Sequence, residues 1–227
     1  MILVAFTAIA CSQAASLDGP QQGDLESFLA ETRKTQFDYE PTTGPAELAG
    51  LADLVVRGRI VGAEPGQLYA PLPDEPPAIA TTVVAVEVIE VLAGDKGLIH
   101  ENRVYMEVAH PAFYLEMDSD QDLPTDSLGE PVTPPLEPYD TAAFAATVPR
   151  MEGVFFLDDI TSEPYWETVI DKGAGRPSGV PLTAAYVEGF ILVTSDGRLI
   201  GVTAPIEDLT AGWERLTTVG DLTSAIG

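Results

Sequence analysis

Carboxylates between residues 118 and 130 offer the clearest set of metal ligands in this chain of 227 residues. Alternating carboxylates resemble the start of a calcium-binding loop, in which several oxygen atoms gather around a hard cation. The series departs from the EF-hand pattern, because Leu123 replaces the turn glycine and the final acid comes one position late. The spacing therefore predicts a weak calcium site, and a solvated acidic loop is the alternative. The predicted ligands are Asp118, Asp120, Asp122, Asp126 and Glu130.

Cys11 directly follows an apolar run, Met1 to Ala10, and no other cysteine occurs in the chain. The run resembles the apolar part of a secretory signal, and it is too short to cross a bilayer, which takes roughly 20 residues. The sequence Ala8-Ile9-Ala10-Cys11 resembles a bacterial lipobox, whose cysteine is lipidated and becomes the mature N-terminus, although Ala8 stands where Leu or Val is usual. We therefore predict a signal and lipobox segment over residues 1–11, with lipid attached to Cys11.

Other interpretations of the N-terminal segment stay open. Ordinary signal cleavage after Ala10 or Ala14 would leave Cys11 without a role, and a buried N-terminal strand is a further alternative. No Lys or Arg precedes the apolar run, whereas secretory signals carry a positively charged region before it. We therefore expect the true start codon to lie upstream of Met1.

The sequence contains few of the cysteine and histidine side chains that often act in catalysis or bind metals. A single cysteine excludes cysteine-based zinc and iron–sulfur sites within the chain, because these need several thiolates. His100 and His110 are the only imidazoles. His110 lies on the inward side of its predicted strand, which favours a core or rim position over a catalytic base. Ser178 stands one place too late in Gly175–Gly179 to form a nucleophile elbow.

No catalytic residue is assigned from the sequence. Carboxylates are too numerous for one glycosidase pair to be singled out, and no phosphate-binding loop or dinucleotide fingerprint occurs. Tyr165 and Trp166, with Trp213, would suit a sugar site, but packing under loops is the favoured interpretation of these aromatic side chains. The sequence therefore favours a non-enzymatic protein, with a carboxylate-based hydrolase as the alternative.

The charge balance limits the partners. Lys and Arg number 11 against 36 Asp and Glu, for a formal net charge of −25. Such a surface repels phosphate backbones and anionic headgroups, which argues against nucleic acid and against direct membrane binding. It attracts cations or basic partners, or it simply keeps the protein soluble.

Strand patterns dominate the chain after residue 53. Residues 54–61 alternate with period two, residues 81–92 are dense in β-branched side chains, and residues 102–110 alternate again. Residues 153–157 form a short buried strand, residues 186–202 form a hairpin around a Ser-Asp-Gly turn, and residues 217–226 fit a closing helix. The predicted core residues are Leu54, Val56, Ile60, Val84, Val86, Val88, Val104, Met106, Val108, Phe156 and Leu157.

Two local irregularities are predicted inside these strands. Gly58 in mid-strand indicates a bulge or a sharp bend. Glu87 and Glu90 are an odd number of positions apart, so a regular strand would bury one of them. A bulge near Ile89 would let both carboxylates reach water.

Three segments follow from these patterns. Residues 1–11 are the signal and lipobox segment, and residues 12–44 are a flexible tether containing one short helix with Leu25, Phe28 and Leu29 on one face. Residues 45–227 form a single β-barrel-like domain that carries a long acidic loop over 111–149. The predicted fold class is all-β with minor α content: a small OB-fold-like barrel with short flanking helices.

The order of a helix, ADLVVRGRIVGAEPG, TTVVAVEVIEVLAGD, VYMEVAH and then VFFLDD resembles the netrin-like or tissue-inhibitor-of-metalloproteinase-like module, an OB-fold barrel. The same outline resembles a broad group of secreted bacterial proteins. The resemblance spans roughly residues 47–159 and implies the fold alone. Animal netrin-like modules are disulfide-bonded, and this chain has one cysteine. A lipidated Cys11 could not chelate a protease's zinc, so inhibitory activity is not implied.

Taken together, these patterns predict an exported binding or interaction module of the cell envelope, anchored by a lipid on the extracytoplasmic side or secreted. Its partner is an envelope protein or ligand, and its contact with the membrane is through the N-terminal lipid alone. No cofactor is expected beyond calcium. The alternatives are the carboxylate-based hydrolase and a calcium-dependent structural or adhesive protein.

Overall fold

The computed structural model describes residues 22–34, 40–70, 79–111, 113–114, 137–161, 168–169, 174–209 and 212–227. Its helices are α1 (Gln22–Thr32), α2 (Pro45–Leu51), α3 (Thr141–Thr147) and α4 (Val219–Ile226), with 3₁₀ turns at Lys96–Leu98 and Ile206–Asp208. Its strands are β1 (Leu54–Ala70), β2 (Ile79–Gly94), β3 (Arg103–Pro111), β4 (Phe113–Tyr114), β5 (Glu137–Pro138), β6 (Glu152–Asp159), β7 (Thr168–Val169), β8 (Thr183–Val193) and β9 (Leu199–Gly201).

Five long strands close into a ring in the order β1-β2-β3-β8-β6, and β6 returns to β1. All of these pairings are antiparallel except the one between β3 and β8. The short strand β7 pairs with β1, and β9 pairs with β8. Strands β4 and β5 form a separate two-stranded sheet. The prediction of a mostly β protein with short helices is therefore confirmed.

Both predicted irregularities occur where β1 pairs with β2. A Cβ atom on Gly58 would come within 2.8 Å of the Glu87 carbonyl oxygen, so only glycine fits this close approach. Next to it, Arg57 pairs with Glu90 and Arg59 with Glu87, so Ile89 is the extra residue of a bulge. Because of that bulge both glutamates are exposed, as the odd spacing predicted.

The inside of the ring is the main core. All eleven predicted core residues are buried, and ten of them belong to one cluster with Phe28, Phe144, Phe155 and Phe190. Phe156 is the exception, because it lies on the outer face and packs against Trp213 with ring centroids 6.0 Å apart. The GVFFL run of β6 is thus buried on both faces, which is why it lacks the alternation of a half-exposed strand.

Two elements close one end of the ring. Phe28 of α1 is fully buried against Phe144 of α3, with ring centroids 5.6 Å apart. Helix α3 lies in the stretch that was predicted as loop; Asp140 caps it by accepting a hydrogen bond from the Ala143 backbone N–H at 2.8 Å. The N-cap and the Ala-rich sequence TAAFAAT favour this short helix, and packing of Phe144 in the core stabilises it.

The segment predicted as a flexible tether contacts the sheet wherever the structure describes it. The Arg33 guanidinium donates to the carbonyl oxygens of Gly201 and Val202 at 2.6 and 3.1 Å. Thr42 donates from both its backbone N–H and its hydroxyl to the buried Glu188 carboxylate. The described residues 22–34 and 40–44 therefore belong to the folded body.

Candidate functional site

The predicted functional residues lie outside the described part of the chain. These are the lipidation residue Cys11 and the calcium ligands Asp118, Asp120, Asp122, Asp126 and Glu130. Both remain predictions. Within the described residues, no three His, Cys, Asp or Glu side chains are grouped so as to hold a metal ion. The helices described here are all too short or too polar to cross a bilayer.

Trp213 is fully buried. Its ring packs on Phe156 within the cluster that joins α2 and α4 to the outer face of β6. The interpretation of Trp213 as a packing residue is confirmed, whereas Tyr165 and Trp166 lie outside the described residues.

His110 lies inside the ring, beneath α1 and α3, as its period predicted. Its ring stacks on Tyr139 at 4.5 Å between centroids and meets the edge of Phe144 at 4.1 Å. Burial lowers the pKa of His110 to about 4, although the negative charge of Glu31 on α1 opposes this shift. The imidazole is only 2% exposed and stays neutral near pH 7. It is therefore a core residue that no substrate reaches in this arrangement.

The most unusual polar group is Glu107, which points to the outer face of the same strand and is only 7% exposed. The Tyr69 hydroxyl donates to its Oε2 at 2.6 Å, and the Thr81 hydroxyl lies 2.7 Å from its Oε1. The Gln67 amide nitrogen lies 3.0 Å from the Tyr69 hydroxyl and 3.5 Å from Glu107 Oε1. We call Gln67, Tyr69, Thr81 and Glu107 the Glu107 cluster.

Burial raises the pKa of Glu107 above its usual range, because an ionised carboxylate loses hydration here. Hydrogen bonds from Tyr69, Thr81 and Gln67, and the positive charge of Arg176, lower the pKa and offset only part of this rise. A carboxyl group with a raised pKa is a candidate functional group, because catalytic acids are tuned in the same way.

The segment Ala174–Leu182 packs on the outer face next to this cluster. Its Val180 and Leu182 pack with Val83 and Tyr105 in a small apolar cluster. Gly175 fits so closely that a Cβ atom there would lie 2.7 Å from Val83 Cβ. Val83 is the partner of Glu107 in the register between β2 and β3, so this segment lies beside a polar cluster whose carboxyl group is buried.

Sequence reasoning missed the Glu107 cluster. By period two, Tyr105 and Glu107 belong to the face of β3 opposite Val104, Met106 and Val108, and nothing in the alternation indicates that this face is buried as well. The Ala174–Leu182 segment, which packs on this face beside Glu107, comes from far along the chain. Strand periodicity describes only the two faces of one strand, so it does not show which distant segment packs on either face.

One strip of the outer face remains open. Glu152 accepts hydrogen bonds from Arg57 at 3.1 Å and from Arg59 at 2.8 Å. Glu90 and Glu87 lie opposite Arg57 and Arg59 in the strand register between β1 and β2. The hydrogen bonds from the arginines lower the pKa of Glu152. We call these five residues the arginine–glutamate strip. Ile89 beside it is 48% exposed, and among the described residues only Leu51, at 57%, is another exposed large apolar side chain.

Comparison with models of protein families, with curated proteins and with solved structures yields no match for this chain.

Proposed function

We propose that this protein is a non-enzymatic binding module of the cell envelope whose domain is an OB-fold barrel. The five-stranded ring, closed through one parallel pairing between β3 and β8, supports this fold, because OB-folds are five-stranded Greek-key barrels. Helix α3 lies between β3 and β6 along the chain and covers one end of the ring. The netrin-like resemblance stays within this proposal.

The observation that carries the binding function is the open arginine–glutamate strip. The outer face is covered on one side by α2, α4 and Trp213, and on the other by the Ala174–Leu182 segment. The strip between them combines two arginines with the exposed Ile89, in a chain that has only 11 basic residues. Arginine and exposed apolar side chains are enriched at the centres of protein interfaces, so we assign this strip as the contact surface for a protein partner.

The hydrolase alternative needs a carboxyl group of raised pKa that meets substrate. Glu107 has the raised pKa, but its side chain is buried beside the Ala174–Leu182 segment. The geometry therefore favours binding over hydrolysis for this group. A calcium-dependent adhesive role rests on residues 118–130 and stays an alternative proposal.

A site-specific photo-crosslinker tests the contact surface. It is placed at Ile89 in one strain and at Leu51 in a matched control, since both are exposed apolar positions. We expect a defined envelope protein to crosslink at Ile89 and not at Leu51, and the additional change Arg59→Glu should remove the product. Equal crosslinking at both positions, or an Ile89 product that survives Arg59→Glu, would contradict the proposed surface.

We propose export and lipid attachment at Cys11 on the sequence pattern alone. The test uses the native locus with its upstream codons. Changing Cys11 to Ser should move the protein from the detergent phase to the aqueous phase and abolish labelling by a fatty-acid probe. A wild-type protein that is unlabelled, with a mature N-terminus beyond residue 11, would contradict lipid attachment and favour secretion without an anchor.

A further inference from the structure

If Glu107 is ionised, Thr81 has more hydrogen-bond acceptors within reach than it has hydrogen atoms to donate. The single Thr81 hydroxyl hydrogen has two acceptors within reach. They are the backbone carbonyl oxygen of Gln67 at 3.0 Å and Glu107 Oε1 at 2.7 Å. A hydroxyl can donate to only one of them. If Glu107 carries a proton, its carboxyl donates to Thr81 Oγ1 and Thr81 donates to the Gln67 carbonyl, so that both contacts become hydrogen bonds.

Arg176, whose positive charge acts on Glu107, has a donor without a partner. Arg176 donates from Nε to the Val180 carbonyl oxygen at 2.9 Å, which closes the turn beside the cluster. Its Nη1 is buried without a hydrogen-bond partner, and no ion pair joins it to Glu107. A buried donor without a partner is costly, and the positive charge of Arg176 offsets only part of the effect of burial on Glu107.

We propose that Glu107 and Arg176 form a proton-controlled latch that holds the Ala174–Leu182 segment on the outer face of the sheet. In the protonated state, Glu107 is satisfied by Tyr69 and Thr81, and Arg176 holds its own turn through Val180. In the ionised state, the carboxylate lacks hydration beneath the closed segment, and loosening of the turn restores it. This inference does not depend on the identity of any binding partner.

The direction of the pH effect follows from these states. Glu107 holds its proton more tightly in the folded protein than in the unfolded chain. The latch is therefore fully closed below the ordinary pKa of a glutamate and opens as the pH rises through the raised pKa. The groups that face Glu107 are the Tyr69 hydroxyl and Gln67 amide on β1, the Thr81 hydroxyl on β2 and the Arg176 guanidinium.

Two measurements on the full-length purified protein test the latch. The first is the ¹³C chemical shift of the Glu107 carboxyl carbon, which should titrate above the ordinary value of 4.5. The second is hydrogen exchange at the Val180 amide, which donates to the Pro177 carbonyl oxygen at 3.3 Å. After correction for intrinsic rates, its protection should fall about tenfold above the Glu107 pKa through local opening.

The variant Glu107→Gln separates the latch from general charge effects. Glutamine can donate to Thr81 and accept from Tyr69 as the protonated acid does, so Val180 should stay protected across the whole pH range. The control Glu152→Gln removes a carboxylate from the open strip and should retain the wild-type pH dependence at Val180. An identical pH dependence in wild type and Glu107→Gln, or a Glu107 carboxyl that titrates at or below 4.5, overturns the proposal. The carboxyl titration needs only the wild-type protein, so it decides even if Glu107→Gln does not fold.

Discussion

Strand β3 carries two buried titratable side chains that face opposite ways. His110 points into the ring, where aromatic rings surround it and its Nε2 has no hydrogen-bond partner. Glu107 points outward, where hydroxyl and amide groups surround it. Burial favours the neutral form of both, but this lowers the pKa of the base and raises the pKa of the acid. The comparison shows that one physical cause produces opposite pH dependences on the two faces of a strand.

His110 and Glu107 make the free energy of unfolding depend on pH in opposite directions. Unfolded His110 binds a proton below about 6.5 while the folded form resists it down to about 4, so this group costs stability as the pH falls across that window. Glu107 has the opposite sign, because the folded protein holds its proton and stability falls as the pH rises from 4.5 through the raised pKa. Four variants test this contrast, beginning with the largest expected effect.

Phe144→Ala should cost about 3–5 kcal/mol of unfolding free energy, because it empties a core position in contact with His110 and Phe28. Water entering the cavity should raise the pKa of His110 toward its ordinary value. Urea unfolding and an NMR titration of the imidazole measure the two effects. Phe144→Leu, which refills much of the volume, serves as the control. An unchanged His110 pKa in the alanine variant would show that α3 does not exclude water from the imidazole.

His110→Phe should remove the loss of stability at acid pH that the buried imidazole causes. The shift from 6.5 to about 4 corresponds to about 3 kcal/mol lost between neutral and acid pH. The measurement is the unfolding free energy of both proteins from pH 7 to pH 4, and the informative quantity is how their difference changes with pH. A difference that stays constant over this window would mean that His110 is hydrated in the folded protein.

Tyr69→Phe should cost about 1–3 kcal/mol, because it removes the hydroxyl that donates to Glu107 and accepts from Gln67. The same bond favours the ionised carboxylate, so its loss should raise the pKa of Glu107 further. Stability should then decline over a wider range of rising pH than in wild type. Chemical unfolding at several pH values between 4 and 8 measures both effects. A decline confined to the wild-type range would contradict the assigned donor direction.

Glu152→Gln should change stability least, by about 0.5 kcal/mol, because exposed ion pairs are weak and screened by salt. Glu152 contacts Arg57 and Arg59 on the open face, and its lowered pKa means that any contribution is lost as the pH falls. Unfolding at low and high salt measures it. A loss comparable to that of Tyr69→Phe would show that the arginine–glutamate strip is structurally important, which would weaken its assignment as a binding surface.

The sequence alone determined the strands, the direction of their side chains and the details that depend on one strand or one pairing. Period two placed Val104, Met106 and Val108 inside with His110, and the odd spacing of Glu87 and Glu90 predicted the bulge. These predictions succeeded because alternation along a strand is a local property, and a half-buried strand displays it directly.

Only the tertiary structure decided what covers the outer faces. Phe156 and Glu107 both face away from the ring interior, and both are buried on faces where segments distant in sequence pack. Helix α1 likewise lies in a stretch whose composition resembles a tether, yet Phe28 completes the core. Burial of this kind depends on contacts between distant parts of the chain, and no local pattern of residue types records which segment will arrive at a given face.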